Sequence, residues 1–295
     1  MSGIAAAIPG PRLWLIAARP RTLTAAVVPV LVGTAVAKAL GGAHALPAVA
    51  ALCSSICIQI GTNFANDYSD FKRGADRERV GPLRVTQSGL IAPQTVKFAA
   101  LFMFGLAALF GVYIALVGGW PMLLVGAASI LAGWAYTGGP WPLGYHGLGD
   151  LFVMVFFGFV ATVGTAFIQL HQLPAVAFFA AVPVGALATA ILVVNNLRDR
   201  ATDARAGKRT LAVKLGVAFT RAEYLSLLGL AALAPVAAVA LGLLRPWALL
   251  ALIALPLAPA KLVLRGQGEE LNPALGATAR VQLLYGVLFA LGIAL

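Results

Sequence analysis

Two short runs of this sequence concentrate aspartate. The first reads Asn63-Phe64-Ala65-Asn66-Asp67-Tyr68-Ser69-Asp70, followed by Lys72, Arg73, Gly74 and Asp76. The second reads Asn195-Asn196-Leu197-Arg198-Asp199, followed by Asp203, Gly207, Lys208 and Arg209. Asp67 and Asp70 are spaced i, i+3 and Asp199 and Asp203 i, i+4, so each pair shares one face wherever the chain is helical. Two carboxylates 4 Å apart repel by roughly 4 kcal/mol at an effective dielectric near 20. A cation relieves that repulsion. Oxygen ligands without His or Cys favour Mg²⁺ over zinc, and Mg²⁺ takes one or two carboxylates plus waters and phosphate oxygens. The expected third party is therefore a phosphate. Lys72, Arg73, Arg84, Arg198, Lys208 and Arg209 lie close in sequence to the acids, where guanidinium and ammonium groups could clamp a phosphate as its charge develops.

Other residues carry weaker signals. Asn63, Asn66, Asn195 and Asn196 end apolar runs, where an unpartnered amide is costly, so they either tie helices together or contact a ligand. Arg77, Arg79, Arg200, Arg205, Lys214 and Arg221 read as residues facing lipid headgroups. The segment from Tyr136 to Asp150 is dense in Gly and Pro and reads as a loop with several turns. Its Tyr136, Trp141 and Tyr145 fit an interfacial aromatic belt or a stack on a planar substrate. Phe152, Phe156, Phe157, Phe159 and Phe167 read as lipid-facing or packing residues rather than a ligand groove. Cys53 and Cys57 read as small packing residues, and the three histidines fall in separate connections.

The elements that position these groups are set by composition. Of 295 residues 61% are hydrophobic and 11% charged, against roughly 25% charged in a soluble domain. The chain reads as an all-α, polytopic membrane bundle with a single domain over 1–295. Apolar runs of spanning length predict nine transmembrane helices, near 22–41, 46–66, 95–117, 120–137, 150–169, 174–196, 221–242, 246–264 and 276–295. The basic amino end, residues 1–21, precedes an uncleaved first span. With that end in the cytoplasm, every Lys and Arg except Lys38 and Arg245 falls on the inside. The net charge of +11 thus records orientation and calls for no nucleic acid. All ten acids also fall on that face, in connections that include the expected active-site loops 67–94 and 197–220. Asn66 and Asn196 stand 130 residues and four spans apart, consistent with two parallel four-helix units plus a ninth helix. A transporter would place ionisable groups near mid-membrane and favour inverted repeats, which this pattern does not do.

The ordered motifs resemble those of the UbiA superfamily of intramembrane prenyltransferases. They are Ala18-Arg19-Pro20-Arg21-Thr22, Asn66-Asp67-Tyr68-Ser69-Asp70 with Gly74 and Asp76, and Val80-Gly81-Pro82-Leu83-Arg84 through Gly89. Ala135-Tyr136-Thr137-Gly138-Gly139-Pro140, Gly147-Leu148-Gly149-Asp150 and Asn195-Asn196-Leu197-Arg198-Asp199 through Ala212 complete the set. Within the superfamily the chain looks like the menaquinone-pathway branch, which prenylates 1,4-dihydroxy-2-naphthoate with loss of carbon dioxide. An acceptor such as 4-hydroxybenzoate is the alternative. The resemblance implies a bundle in a bacterial inner membrane, with amino end and site cytoplasmic. It implies Mg²⁺ held by Asp67, Asp70, Asp199 and Asp203, a polyprenyl diphosphate held by Asn66, Lys72, Arg84, Arg198 and Lys208, and an aromatic acid acceptor near Arg19 and Tyr136. No oligomeric state follows from it. The superfamily motif N-x-x-x-D-x-x-x-D, counted from Asn66 and Asp70, puts Gly74 where the last acid should stand, with Asp76 as its substitute.

Overall fold

The computed structural model describes residues 10–75 and 80–295. Every regular element among them is helical. In chain order these are α1 Gly10–Ala18, α2 Thr24–Ala39, α3 Ala45–Arg73, α4 Pro93–Gly118, α5 Pro121–Ala135, α6 Gly149–Leu170, α7 Ala175–Arg205, α8 Leu211–Ala240, α9 Ala260–Arg265 and α10 Asn272–Ala294. A 3₁₀ helix, Pro246–Leu257, precedes α9.

Six helices are long and apolar enough to cross a bilayer: α3, α4, α6, α7, α8, and α10 with its leading turn from Gly268. A seventh span forms if α1 and α2, bent by 53° at the Arg19–Leu23 break, are taken together. The predicted fourth and eighth spans fall short of the nine-helix expectation. The 15 residues of α5 rise about 22 Å and the 12-residue 3₁₀ helix about 24 Å, less than the ~30 Å hydrocarbon thickness. Apolar composition alone cannot report where Pro121, Pro246 and Pro256 start or stop a helix. The multi-pass reading stands, because large apolar side chains such as Leu116 (81% exposed) and Phe102 (70% exposed) cover the outside.

α7 is the centre of the bundle, with 72% of its most apolar stretch buried, against 22% for α4. Its Ala177, Ala180, Ala181, Val184 and Leu187 pack against Val28, Val32 and Val36 of α2, Ala231 and Ala238 of α8, and Tyr285 and Phe289 of α10. Small residues let the helix backbones approach closely where lipid offers no hydrophobic driving force between helices.

Both helices that carry the aspartates run further than expected. Residues 67–73 and 197–205, assigned to loops by hydropathy, are the last turns of α3 and α7. Polar residues lower the hydropathy there without breaking the helix, because each segment ends among other polar side chains, with Asp70, Asp199 and Asp203 around one small cavity.

Candidate active site

α3 and α7 end in the same way. After α3, Gly74 takes a left-handed conformation (φ 72°) and the Ala75 N–H donates to the Asp70 carbonyl at 2.9 Å. After α7, Gly207 does the same (φ 72°) and the Lys208 N–H donates to the Asp203 carbonyl at 2.8 Å. Each bond closes the helix end around a residue that only glycine adopts at little cost. Asp70 and Asp203 therefore occupy equivalent positions, four residues before the closing glycine. The shared register pairs Asn66 with Asp199, rather than with Asn196 as the sequence spacing suggested. Gly74 is thus no lost ligand: its position is the helix stop. Asp76 lies outside the described residues.

That register explains the fate of the expected ligands. On α3 the polar cavity-facing residues are Ser54, Ser55, Gln59, Thr62, Asn63, Asn66 and Asp70, a stripe of helical period. Asp70, Asp199 and Asp203 meet in one small polar cavity with Arg84, Asn195, Thr202 and Lys208. Asp67 is buried (1% exposed) but lines neither this cavity nor the larger one beside it. Lys72 is exposed and lines neither, because two residues beyond Asp70 is about 200° around the helix.

The carboxylates are held by basic and phenolic groups. Arg84 Nη2 lies 3.2 Å from Asp70 Oδ2, and Tyr145 donates its hydroxyl to Asp70 Oδ1 at 3.0 Å. Arg198 forms a fork on Asp199, Nε to Oδ1 at 2.8 Å and Nη2 to Oδ2 at 2.6 Å, and donates to Asn195 Oδ1 at 2.7 Å and Asn272 Oδ1 at 3.3 Å. Lys208 Nζ stands 3.7 Å from Asp203 Oδ1. Burial, and then the Asp70 carboxylate, raise the Tyr145 pKa well above that of an ordinary phenol, so Tyr145 stays a donor. The Arg73 guanidinium and the Lys208 ammonium approach its ring at 5.3 and 5.6 Å. Tyr145→Phe is expected to lower kcat/KM by about tenfold, the loss of one hydrogen bond to a charged group, as measured by initial rates.

The larger cavity, about 290 Å³, adjoins this cluster. It follows α3 from Ala51 to Asp70, about 28 Å along the helix axis. Asp70, Arg84, Asn66, Asn195, Asn196 and Lys208 line its polar part, and Val30, Ile114, Met122, Val125, Phe157 and Ile168 its apolar part. Arg19 and Tyr136 line it. The Tyr136 ring is admitted by glycine: a Cβ on Gly149 would lie 2.7 Å from its hydroxyl. Trp141 instead stacks on His146 at 4.2 Å with 54% of its surface exposed. Phe152, Phe156 and Phe157, read from sequence as packing or lipid-facing, line the cavity. Residues 152, 156, 160, 164 and 168 of α6 all face it, a spacing of four that drifts by about 40° per step in an α-helix. The π-helical stretch Met154–Val160 widens the turn and keeps the stripe in line. Ser54, Gln59, Thr62 and Asn272 had no recognisable motif, since single polar residues in apolar helices become legible only when the bundle shows what they face.

Among the described residues no three Asp, Glu, His or Cys side chains gather as a closed metal cage. The donor set nevertheless fits Mg²⁺, which binds through one or two carboxylates and completes its shell with water and phosphate.

The model of the UbiA prenyltransferase family matches residues 26–284. The chain belongs to the UbiA prenyltransferase family. This UbiA protein is 45% identical to 1,4-dihydroxy-2-naphthoate octaprenyltransferase of Mycobacterium tuberculosis over 94% of its length and 95% of the relative's. It is 38% identical to the Escherichia coli protein of the same name, over 95% and 94%. Its fold matches the apo structure of a UbiA homologue from Aeropyrum pernix K1, with TM-score 0.69 at 14% identity, covering 90% of this chain and 96% of that one. A UbiA homologue from Archaeoglobus fulgidus, bound to GPP and Mg²⁺, matches with TM-score 0.61 at 15% identity, over 94% and 99%.

Proposed function

We propose that this UbiA family member transfers a polyprenyl group from polyprenyl diphosphate to 1,4-dihydroxy-2-naphthoate, releasing diphosphate and carbon dioxide and forming demethylmenaquinone at its reduced, quinol level. The observation that carries the reading is the cavity itself: an apolar channel that ends at buried carboxylates, amides and basic side chains. A molecule with a hydrocarbon tail and a diphosphate head has that shape and polarity. The relatives that carry the naphthoate name over nearly their full length support this acceptor.

In this reading Asp70, Asp199 and Asp203 would hold Mg²⁺, one or two of them directly and the rest through its waters, while Asp67, off the cavity-facing stripe, is left out of the ligand set. A divalent ion held there would supply countercharge for the diphosphate. Arg84, Lys208, Asn66 and Asn195 take diphosphate oxygens, and Arg198 holds Asp199 in place. Cleavage of the allylic C–O bond sends its electron pair to the diphosphate and leaves an allylic cation in the apolar channel, screened from water. The acceptor ring attacks through its carboxyl-bearing carbon, and the C–CO₂ bond then breaks, returning its electron pair to the ring. Decarboxylation makes removal of a ring proton unnecessary. Arg19 and Tyr136 face the acceptor, and the site opens to the cytoplasm.

Product mass spectrometry after incubating the purified protein with polyprenyl diphosphate and 1,4-dihydroxy-2-naphthoate tests the reading, because the mass reports both prenylation and loss of carbon dioxide. Prenylated 4-hydroxybenzoate with its carboxylate retained, and no naphthoate product, would overturn it. Chelation of divalent cations is expected to stop product formation and added Mg²⁺ to restore it; undiminished turnover in excess chelator would remove the metal from the mechanism.

A further inference from the structure

One face of α10 is turned to lipid. Pro273, Leu284, Val287 and Leu291 are exposed along it at helical spacing, while Thr278, Gln282, Tyr285 and Phe289 on the opposite side are buried. Arg280 stands in the middle of that exposed stripe. It lies eight residues after Asn272, about 12 Å along a helix whose 23 residues rise about 34 Å in all. The hydrocarbon layer is ~30 Å thick, so Arg280 leaves the helix inside it, where a charge without a partner is costly. Among the described residues Arg280 forms no ion pair.

Its way out is toward the aspartate-bearing end of the bundle. Side chains of an α-helix lean toward its N-terminus, so Arg280 reaches past Gly276, one turn before it, and carries its charge toward the edge of the hydrocarbon. A second guanidinium is already there. The Cδ, Nε and Cζ of Arg21 lie 3.8 to 3.9 Å from where a Cβ on Gly276 would stand. Arg21 is exposed and also forms no ion pair among the described residues. The acids nearest in sequence to α10 are Glu269 and Glu270, and Glu270 Oε2 is turned back to accept from the Gln267 N–H at 3.0 Å. Two uncompensated guanidiniums beside an apolar helix face match an amphiphile with a phosphate head and hydrocarbon chains. We infer that Arg21 and Arg280 form a site for the phosphate of an anionic phospholipid, whose acyl chains lie along Leu284, Val287 and Leu291. The site has a consequence inside the protein. Arg21 belongs to the turn Pro20–Thr22 at the bend between α1 and α2, and Arg19 and Thr22 of that bend line the large cavity. A phosphate shared by Arg21 and Arg280 clips the bend to α10 and steadies that part of the cavity wall.

The test follows the melting temperature of the full-length protein in phosphatidylcholine mixed micelles as phosphatidylglycerol is titrated in. A saturating rise is expected, since a lipid bound only by the folded state stabilises it. Arg280→Gln and Arg21→Gln are each expected to raise the half-saturating phosphatidylglycerol concentration about fivefold, the weight of one cation at an anionic lipid surface. Arg265→Gln, at an exposed arginine of α9, is expected to leave it unchanged. Two separate positions keep the comparison open if one variant does not fold. A wild-type melting temperature that ignores phosphatidylglycerol overturns the assignment. So does an equal weakening in all three variants, the mark of diffuse attraction to a basic surface, or an equal rise with inorganic phosphate, which needs no lipid. A raised KM for polyprenyl diphosphate in Arg280→Gln, measured without phosphatidylglycerol, gives the pair to the substrate's own diphosphate and overturns the lipid as occupant.

Discussion

Asp70→Asn reduces turnover by about 10²- to 10³-fold at saturating substrates, the size of effect seen when a preorganised charge is removed from a transition state, while the protein still inserts and melts near the wild-type temperature. The expectation of a retained fold follows from what surrounds Asp70. Asn is nearly isosteric and keeps an oxygen for the Tyr145 hydroxyl, which Asp70 receives at 3.0 Å. The lost charge is not the only countercharge for Arg84, because Asp199 and Asp203 share the same small cavity. Removing one of three mutually repelling carboxylates also relieves like-charge repulsion. Chemistry suffers for the opposite reason, since the remaining basic side chains now outweigh the acids and the proposed metal site loses a carboxylate. Initial rates at saturation and a thermal melt of the same preparation check both halves. Wild-type turnover would remove Asp70 from the catalytic centre.

Arg198→Met has its largest effect on stability. The Arg198 side chain is 1% exposed and contributes the fork on Asp199 together with bonds to Asn195 and Asn272. Breaking a buried pair by removing one partner costs about 3–5 kcal/mol, because the other charge stays buried without compensation. A fall in Tm on the order of 10 °C is expected. The loss extends beyond one residue: Asn272 opens α10, so the guanidinium links the site-bearing end of α7 to the last helix of the bundle. Arg198→Lys keeps the charge and loses the planar fork, so it is expected to recover part of the stability and little of the activity. If Arg198→Met melted with the wild type, the fork would be dispensable to the fold.

Much of the fold and part of the site were legible in the residues before the structure. The all-helical bundle followed from hydropathy, and the family resemblance rested on ordered motifs that the family match then confirmed. Helix length was less legible. α3 and α7 run on through Asp70 and Asp203 because Gly74 and Gly207 are the stops, and hydropathy is blind to a left-handed glycine. For the same reason the two motifs were aligned on their asparagines instead of on their closing glycines, and Asp67 was paired with Asp70 by i, i+3 spacing although the cavity-lining stripe runs through Asn66 and Asp70. Lys72 was misplaced because proximity in sequence is not proximity around a helix. Phe152, Phe156 and Phe157 were read as packing because aromatic residues in an apolar run look alike whichever way they face. Gln59 could not be singled out at all, since a lone amide in an apolar run does not tell which way it faces until the helices around it are placed.

The π-helical stretch of α6 has a consequence for how its sequence can vary. A π turn amounts to one residue inserted into an α-helix, so Met154–Val160 acts as a phase shift between the two halves of α6. The half beyond it, with Gly164, Thr165 and Ile168, and the half before it, with Phe152 and Val153, look into one cavity only because of that extra residue. Ordinary α-helical winding over the same residues would turn one half by about 100° relative to the other. Phe152 and Val153 would then swing off the cavity wall while every side chain in both halves kept its identity. Along this wall a substitution that converted the π turn to α winding would re-index the whole cavity surface, whereas a single deletion that removed the turn would leave the two halves in phase.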